Sequence, residues 1–181
     1  MKKEIDPNTP VMKQFLEVKD KYNDSIVLFR MGDFYETFLD DAILTSKILG
    51  IVLTKRANGK AADVDLAGFP HHALDNYLPK LVKAGHRVAI CEQVEDPKIA
   101  KGIVKREVVE VVTPGTLTGD RTLNDRSNRY IGSIFSIKQS SGFSFLDSST
   151  GEFYVGECNT NDLNSFLMKF RPQEIIISEK A

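Results

Sequence analysis

From Pro10 to Val112, short apolar runs suited to strands alternate with segments whose apolar residues recur at helical spacing. Thr9-Pro10 reads as a helix start, with Thr9 as N-cap and Pro10 at the first helical position. Met12, Phe15 and Leu16 follow at helical spacing, and Asn23-Asp24 ends the segment. Residues 26–29 form an apolar strand. A second helix carries Asp40, Asp41, Ala42, Leu44 and Ile48 and stops at Gly50. Residues 51–54 read as a strand, 55–63 as a polar loop or hairpin tip, and 65–69 as a strand broken by Gly68. Pro70 opens a helix holding Leu74, Tyr77, Leu78, Leu81 and Val82, ended by Gly85. Residues 88–90 and 107–112 supply two more strands. The pattern predicts an α/β domain over residues 1–112, one central mixed sheet with flanking helices.

Composition changes at Thr113-Pro114-Gly115-Thr116, and residues 113–127 read as a polar interdomain linker. A second domain is expected over 128–181. Its strands fall at 130–137, 142–146 and 153–157, joined by Gly/Ser turns. Leu163, Phe166, Leu167 and Phe170 mark a helix, and Ile175-Ile176-Ile177 reads as a buried parallel strand. A β-β-β-α-β start of this length reads as a truncated domain.

No apolar run is long enough to cross a bilayer, and the charged N-terminus has no apolar segment behind it. Cys91 and Cys158 form no C-x-x-C pair, which fits reduced, buried thiols and a cytoplasmic protein. Residues 1–112 carry 17 Lys+Arg and 17 Asp+Glu, and residues 113–181 carry 7 and 8. A chain so balanced cannot rely on counterion release, so any DNA binding must rest on local patches and specific contacts. Two basic patches exist: Lys55, Arg56 and Lys60, then Lys98, Lys101, Lys105 and Arg106.

The segment Arg30-Met31-Gly32-Asp33-Phe34-Tyr35-Glu36 runs from an apolar strand through a glycine into two aromatics and a carboxylate. An exposed aromatic beside an acid can wedge between stacked bases and test a base edge by hydrogen bonding. From the residues alone, a core ring is the ordinary reading of Phe34. Tyr35 and Phe38 could fill the core instead, and periodicity does not choose. Asp33, Glu36, Asp40 and Asp41 could hold magnesium for phosphodiester cleavage, but Asp40 and Asp41 also suit the first turn of a helix. Asp147 could mark a nuclease-like position or, more simply, a hairpin turn. His71, His72 and His86 lack a zinc spacing. The phosphate-loop pattern is absent, since Gly59-Lys60 lacks both the upstream glycine and a following Ser or Thr.

Together the residues resemble the N-terminal part of the bacterial MutS mismatch-repair family. Thr9-Pro10-Val11-Met12 resembles the opening helix, and Phe29-Arg30-Met31-Gly32-Asp33-Phe34-Tyr35-Glu36 the strand with its F-x-E motif. Leu53-Thr54-Lys55-Arg56, Ala67-Gly68-Phe69-Pro70-His71-His72-Ala73, Val88-Ala89-Ile90-Cys91-Glu92-Gln93 and Val112-Thr113-Pro114-Gly115-Thr116 follow in family order. The likeness runs nearly unbroken over 9–116. Residues 128–181 resemble, less closely, the start of the family's connector domain, a ribonuclease-H-like fold without nuclease activity.

The resemblance implies that Phe34 is a minor-groove wedge that reads deformability. Glu36 would hydrogen-bond the displaced base: protonated, it donates to a purine N7; ionised, it accepts from a thymine imino N–H. Nearby phosphates would raise its pKa. Arg56, Lys105 and Arg106 are implied backbone contacts, and Leu66 is implied to face the groove. The implied partner is mismatched double-stranded DNA, with no membrane. The longer protein is implied to be an ATP-gated homodimeric clamp that recruits MutL in the bacterial cytoplasm, near the nucleoid. Its ATP and magnesium would be bound outside this chain, which itself carries no cofactor, metal site or catalytic residue.

Overall fold

The structure, a computed structural model, describes residues 9–58, 61–96, 100, 102–117 and 128–178. The chain divides into two compact units, Met1–Val112 and Thr113–Ala181.

In the first unit, helix α1 (Pro10–Lys21) starts where the Thr9 hydroxyl accepts from the Met12 N–H at 3.3 Å. Strands β1 (Ser25–Met31) and β2 (Phe34–Phe38) form a hairpin. Helix α2 (Leu39–Leu49) follows at once and ends on Gly50, left-handed at φ 68°. Strands β3 (Thr54–Asn58) and β4 (Ala61–Pro70) make a second hairpin. A 3-10 turn (His71–Ala73) leads into α3 (Leu74–Lys83), then β5 (Arg87–Gln93) and β6 (Arg106–Val112). The six strands lie in the order β3-β4-β2-β1-β5-β6, antiparallel except for β1 against β5.

Both faces of this sheet are covered. On one face Met12 and Phe15 of α1 pack on Val27, Phe29, Phe38, Val64, Ala89 and Cys91. On the other, Tyr35 meets Phe69 and Phe69 meets Tyr77 of α3, a helix that also contacts α2. The architecture is therefore the mixed α/β fold that the pattern predicts.

Three local readings need correction. Residues 34–38 form a strand that the sequence reading did not identify. The strand expected at 51–54 begins only at Thr54, so Lys55 and Arg56 sit in β3 rather than in a loop. Strand β4 runs unbroken through Gly68. In each case pairing with neighbouring strands outweighs weak local preference.

In the second unit, β7 (Tyr130–Ile137), β8 (Ser140–Asp147) and β9 (Phe153–Asn159) form an antiparallel meander. A 3-10 turn (Thr160–Asp162) opens α4 (Leu163–Phe170), and β10 (Glu174–Ile177) returns parallel to β7. Helix α4 lays Leu163, Phe166, Leu167 and Phe170 on Tyr130, Phe143 and Phe145. The parallel pairing of 175–177 agrees with the sequence pattern, but these isoleucines are exposed, Ile177 by 68%. They lie on an edge strand, and a run of apolar residues alone cannot show what covers it. The segment expected to be a linker begins as a turn that belongs to this unit. Leu117 N–H donates to Thr113 C=O, and Gly115 N–H donates to Glu174. The rest of it, 118–127, lies outside the described residues.

Candidate nucleic-acid interface

The first hairpin turns on Gly32-Asp33. Gly32 takes φ 58°, the left-handed region that a tight two-residue hairpin asks of its first turn residue. Side chains then alternate along β2. Tyr35 and Thr37 point into the layer under α3. Phe34, Glu36 and Phe38 share the other face. Phe38 is fully buried, edge-on to Phe15 at 5.0 Å and Phe29 at 6.3 Å. Four residues earlier on the same face, Phe34 is 46% exposed. Core packing thus uses Tyr35 and Phe38 and leaves Phe34 presented at the hairpin tip.

The tip is braced from several directions. His71 N–H donates to the Asp33 carbonyl at 2.8 Å. Arg30 Nε donates to the Gly32 carbonyl, and Arg106 Nε donates to the Arg30 carbonyl. Behind the tip, the Tyr35 hydroxyl donates to Glu92, whose carboxylate also lies 3.6 Å from Arg30. Burial, then the Glu92 contact, pushes the Tyr35 phenol pKa up, so it stays a donor.

Glu36 lies beside Phe34 on the presented face. Its Oε2 accepts from Arg56 Nη1 at 2.6 Å. Burial raises its pKa above the usual carboxylate value, and this outweighs the opposing pull of Arg56 and then Arg106. The direction is the one expected beside phosphates, but the cause here is desolvation. Gly68 of β4 sits directly opposite Glu36. A Cβ there would meet the Tyr35 carbonyl oxygen at 2.8 Å and Glu36 Cγ at 3.4 Å, so only glycine fits.

The acidic residues do not converge. Asp41 is buried, where it accepts from Lys19 at 2.8 Å and from the Val27 N–H at 3.0 Å. Asp40 and Asp41 occupy the first turn of α2, where negative charge is favourable. Among the described residues no three His, Cys, Asp or Glu side chains come together to hold a metal ion. Asp147 is buried and accepts from Ser149 N–H, Ser149 Oγ, Thr150 N–H and Arg129 N–H. Burial alone would raise its pKa, but these hydrogen bonds lower it, and its work is to hold the β8–β9 turn.

A family model described as MutS domain I matches residues 9–121, and one described as MutS domain II matches residues 129–181. The chain belongs to the MutS family. It is 54% identical over 169 residues to the DNA mismatch repair protein MutS of Porphyromonas gingivalis, covering 93% of this chain and 19% of that protein. The MutS of Flavobacterium psychrophilum is 55% identical over 172 residues, covering 95% of this chain and 20% of that protein. That of Flavobacterium johnsoniae is 52% identical over 180 residues, covering 99% of this chain and 21% of that protein. The chain therefore spans about a fifth of the length of these MutS relatives.

Phe34, Glu36 and Arg56 all fall within the MutS domain I match, and the sheet brings Arg56 onto Glu36 across 20 residues of sequence. Leu66, opposite Phe38 in β4, is partly buried against the aromatic cluster under α1. Lys105 is exposed, with its ammonium 2.6 Å from Glu107. Arg106 is a correction to the sequence reading. It is buried, its guanidinium donates to the Arg30 and Val104 carbonyls and to Gln14, and it lies 5.1 Å from the Phe29 ring. These bonds hold it to the core side of the tip rather than on an open surface. Lys60, Lys98 and Lys101 lie outside the described residues.

Sequence reasoning missed Arg30, His71, Glu92 and Gly68. The local pattern offered little signal for them, since Phe34-Tyr35-Glu36-Thr37-Phe38 does not alternate cleanly in polarity.

Proposed function

We propose that this chain is the mismatch-reading part of a longer DNA-repair protein, and that it binds duplex DNA without catalysing a reaction. The observation that carries this reading is Phe34, exposed at a braced hairpin tip with Glu36 beside it on the same face. The ring is placed to enter a stack, at a cost of a few kcal/mol that falls at a mispair. Glu36 then bonds the edge of the displaced base. Arg56 and Lys105 supply cations, and the partly buried Leu66 adds apolar surface beside Phe38.

The names of the relatives, DNA mismatch repair protein MutS, support the reading. In the longer protein we place an ATP-gated homodimeric clamp that recruits MutL, working in the cytoplasm near the nucleoid. Its ATP and magnesium would be bound outside these residues, because the phosphate-loop pattern is absent from them. No helix among the described residues is long and apolar enough to cross a membrane.

The test is binding at low salt to a G·T-mismatched duplex and to its matched control, for wild type, Phe34→Ala and Glu36→Ala. A mismatch preference that Phe34→Ala abolishes is the expected result. Equal binding to both duplexes, indifferent to either substitution, would refute the reading.

A further inference from the structure

Resting on the reading of Phe34 and Glu36 as the pair that meets a mispair, we propose that Arg56 sets which bases Glu36 accepts. Its guanidinium holds Oε2 of the carboxylate in the free chain and leaves Oε1 to meet a base.

The geometry is specific. Arg56 belongs to β3, and β4 separates it from β2. It lies opposite Val64 of β4, whereas Glu36 lies opposite Gly68, so the arginine side chain crosses the sheet diagonally. On its way it passes 5.9 Å from the centre of the Phe38 ring. Gly68 carries no side chain to stand beside Glu36, which leaves the carboxyl within reach at 2.6 Å.

The surroundings make Arg56 the exchangeable partner. Beside Glu36, β1 contributes Phe29 and β4 contributes Gly68, neither titratable. Next to Phe29, β5 contributes Cys91, whose thiol burial pushes up to about 12. From β6 comes Arg106, already committed to two backbone carbonyls and Gln14. The Arg56 side chain is 36% exposed and the Glu36 side chain 19%, so the guanidinium can swing out to a phosphate while the carboxyl stays in place.

The consequence is chemical. The Arg56 charge pulls Glu36 towards the ionised form against burial, and an ionised carboxylate only accepts, which suits a base offering an N–H, such as the thymine imino group. With Arg56 removed, burial favours the protonated carboxyl, which donates to a purine N7. Arg56 therefore biases Glu36 towards N–H-bearing edges.

The test uses the 181-residue chain as wild type, Arg56→Ala and Arg56→Lys. The Glu36 carboxyl is titrated by carbon-13 NMR without DNA. Binding is then measured to duplexes with one unpaired T, one unpaired A or none. In Arg56→Ala, Glu36 should titrate at higher pH, and the preference for unpaired T over unpaired A should fall about fivefold, one hydrogen bond's worth. Arg56→Lys should restore much of both. An unmoved carboxyl in Arg56→Ala overturns the proposal. So does an unchanged T-over-A ratio in a chain whose wild type still prefers unpaired bases to matched duplex. If wild type shows no such preference, the wedge reading falls and this proposal with it.

Discussion

The two units differ in what an exposed apolar side chain means. In the first, both faces of the sheet carry a buried core, and Phe34 is exposed on a strand whose other rings, Tyr35 and Phe38, are buried. In the second, α4 covers one face, while register places Phe135, Leu146, Phe153, Val155 and Ile176 together on the other, all exposed. A ring left exposed beside the buried rings of its own strand is a presented group. A contiguous apolar face is a layer awaiting cover. Exposure by itself does not mark a site; the state of the surrounding core decides.

The comparison can be broken by substitution. The largest effect is expected at Phe38→Ala, which removes a fully buried ring from the Phe15–Phe29–Phe38 cluster and should cost about 3–5 kcal/mol in urea unfolding. A cost below about 1 kcal/mol would mean that the first core is looser than its packing indicates. Next comes Phe145→Ala, on the covered face of the second sheet and stacked 4.4 Å from Phe170. It should cost about 3 kcal/mol, against at most about 0.5 kcal/mol for Phe153→Ala on the bare face. Equal costs for these two would show that the bare face is buried in solution. Phe34→Ala should change stability by no more than about 0.5 kcal/mol while removing mismatch preference. A core-sized loss there would make Phe34 a packing residue.

The smallest effect concerns pH. The Glu36 pKa is raised in the folded chain, so its contribution to stability is complete below the ordinary carboxylate range and is lost as pH rises through the raised value. Wild type should therefore lose stability relative to Glu36→Gln as pH climbs from the carboxylate range to neutrality. The opposite slope would mean that Arg56 outweighs burial.

Much of the fold was legible because its signals are local. Thr9-Pro10 starts α1 and Gly50 stops α2, as capping chemistry requires. The apolar runs of β1 and β5 reflect strands buried on both faces and the periods of β7 and α4 one covered face, and each signal needs only a window of ten or so residues to show. Strand β2 escaped because Phe34-Tyr35-Glu36-Thr37-Phe38 is apolar on both faces at some positions, which blurs its alternation. Ile175–Ile177 kept its strand character but not its burial, because burial depends on what packs above.

The sequence by itself determined the helices and most of the strands, the F-x-E spacing and the glycine that turns the hairpin, since these rest on backbone preference and neighbours close in the chain. Only the tertiary structure decided the site. Sheet order lays Arg56 over Glu36, 20 residues away, and turns Arg106 inward to the Arg30 carbonyl, 76 residues away. Both arginines carry the same charge and looked alike in sequence. Desolvation and hydrogen-bond partners, which exist only once the strands are side by side, made one a brace and left the other free to exchange.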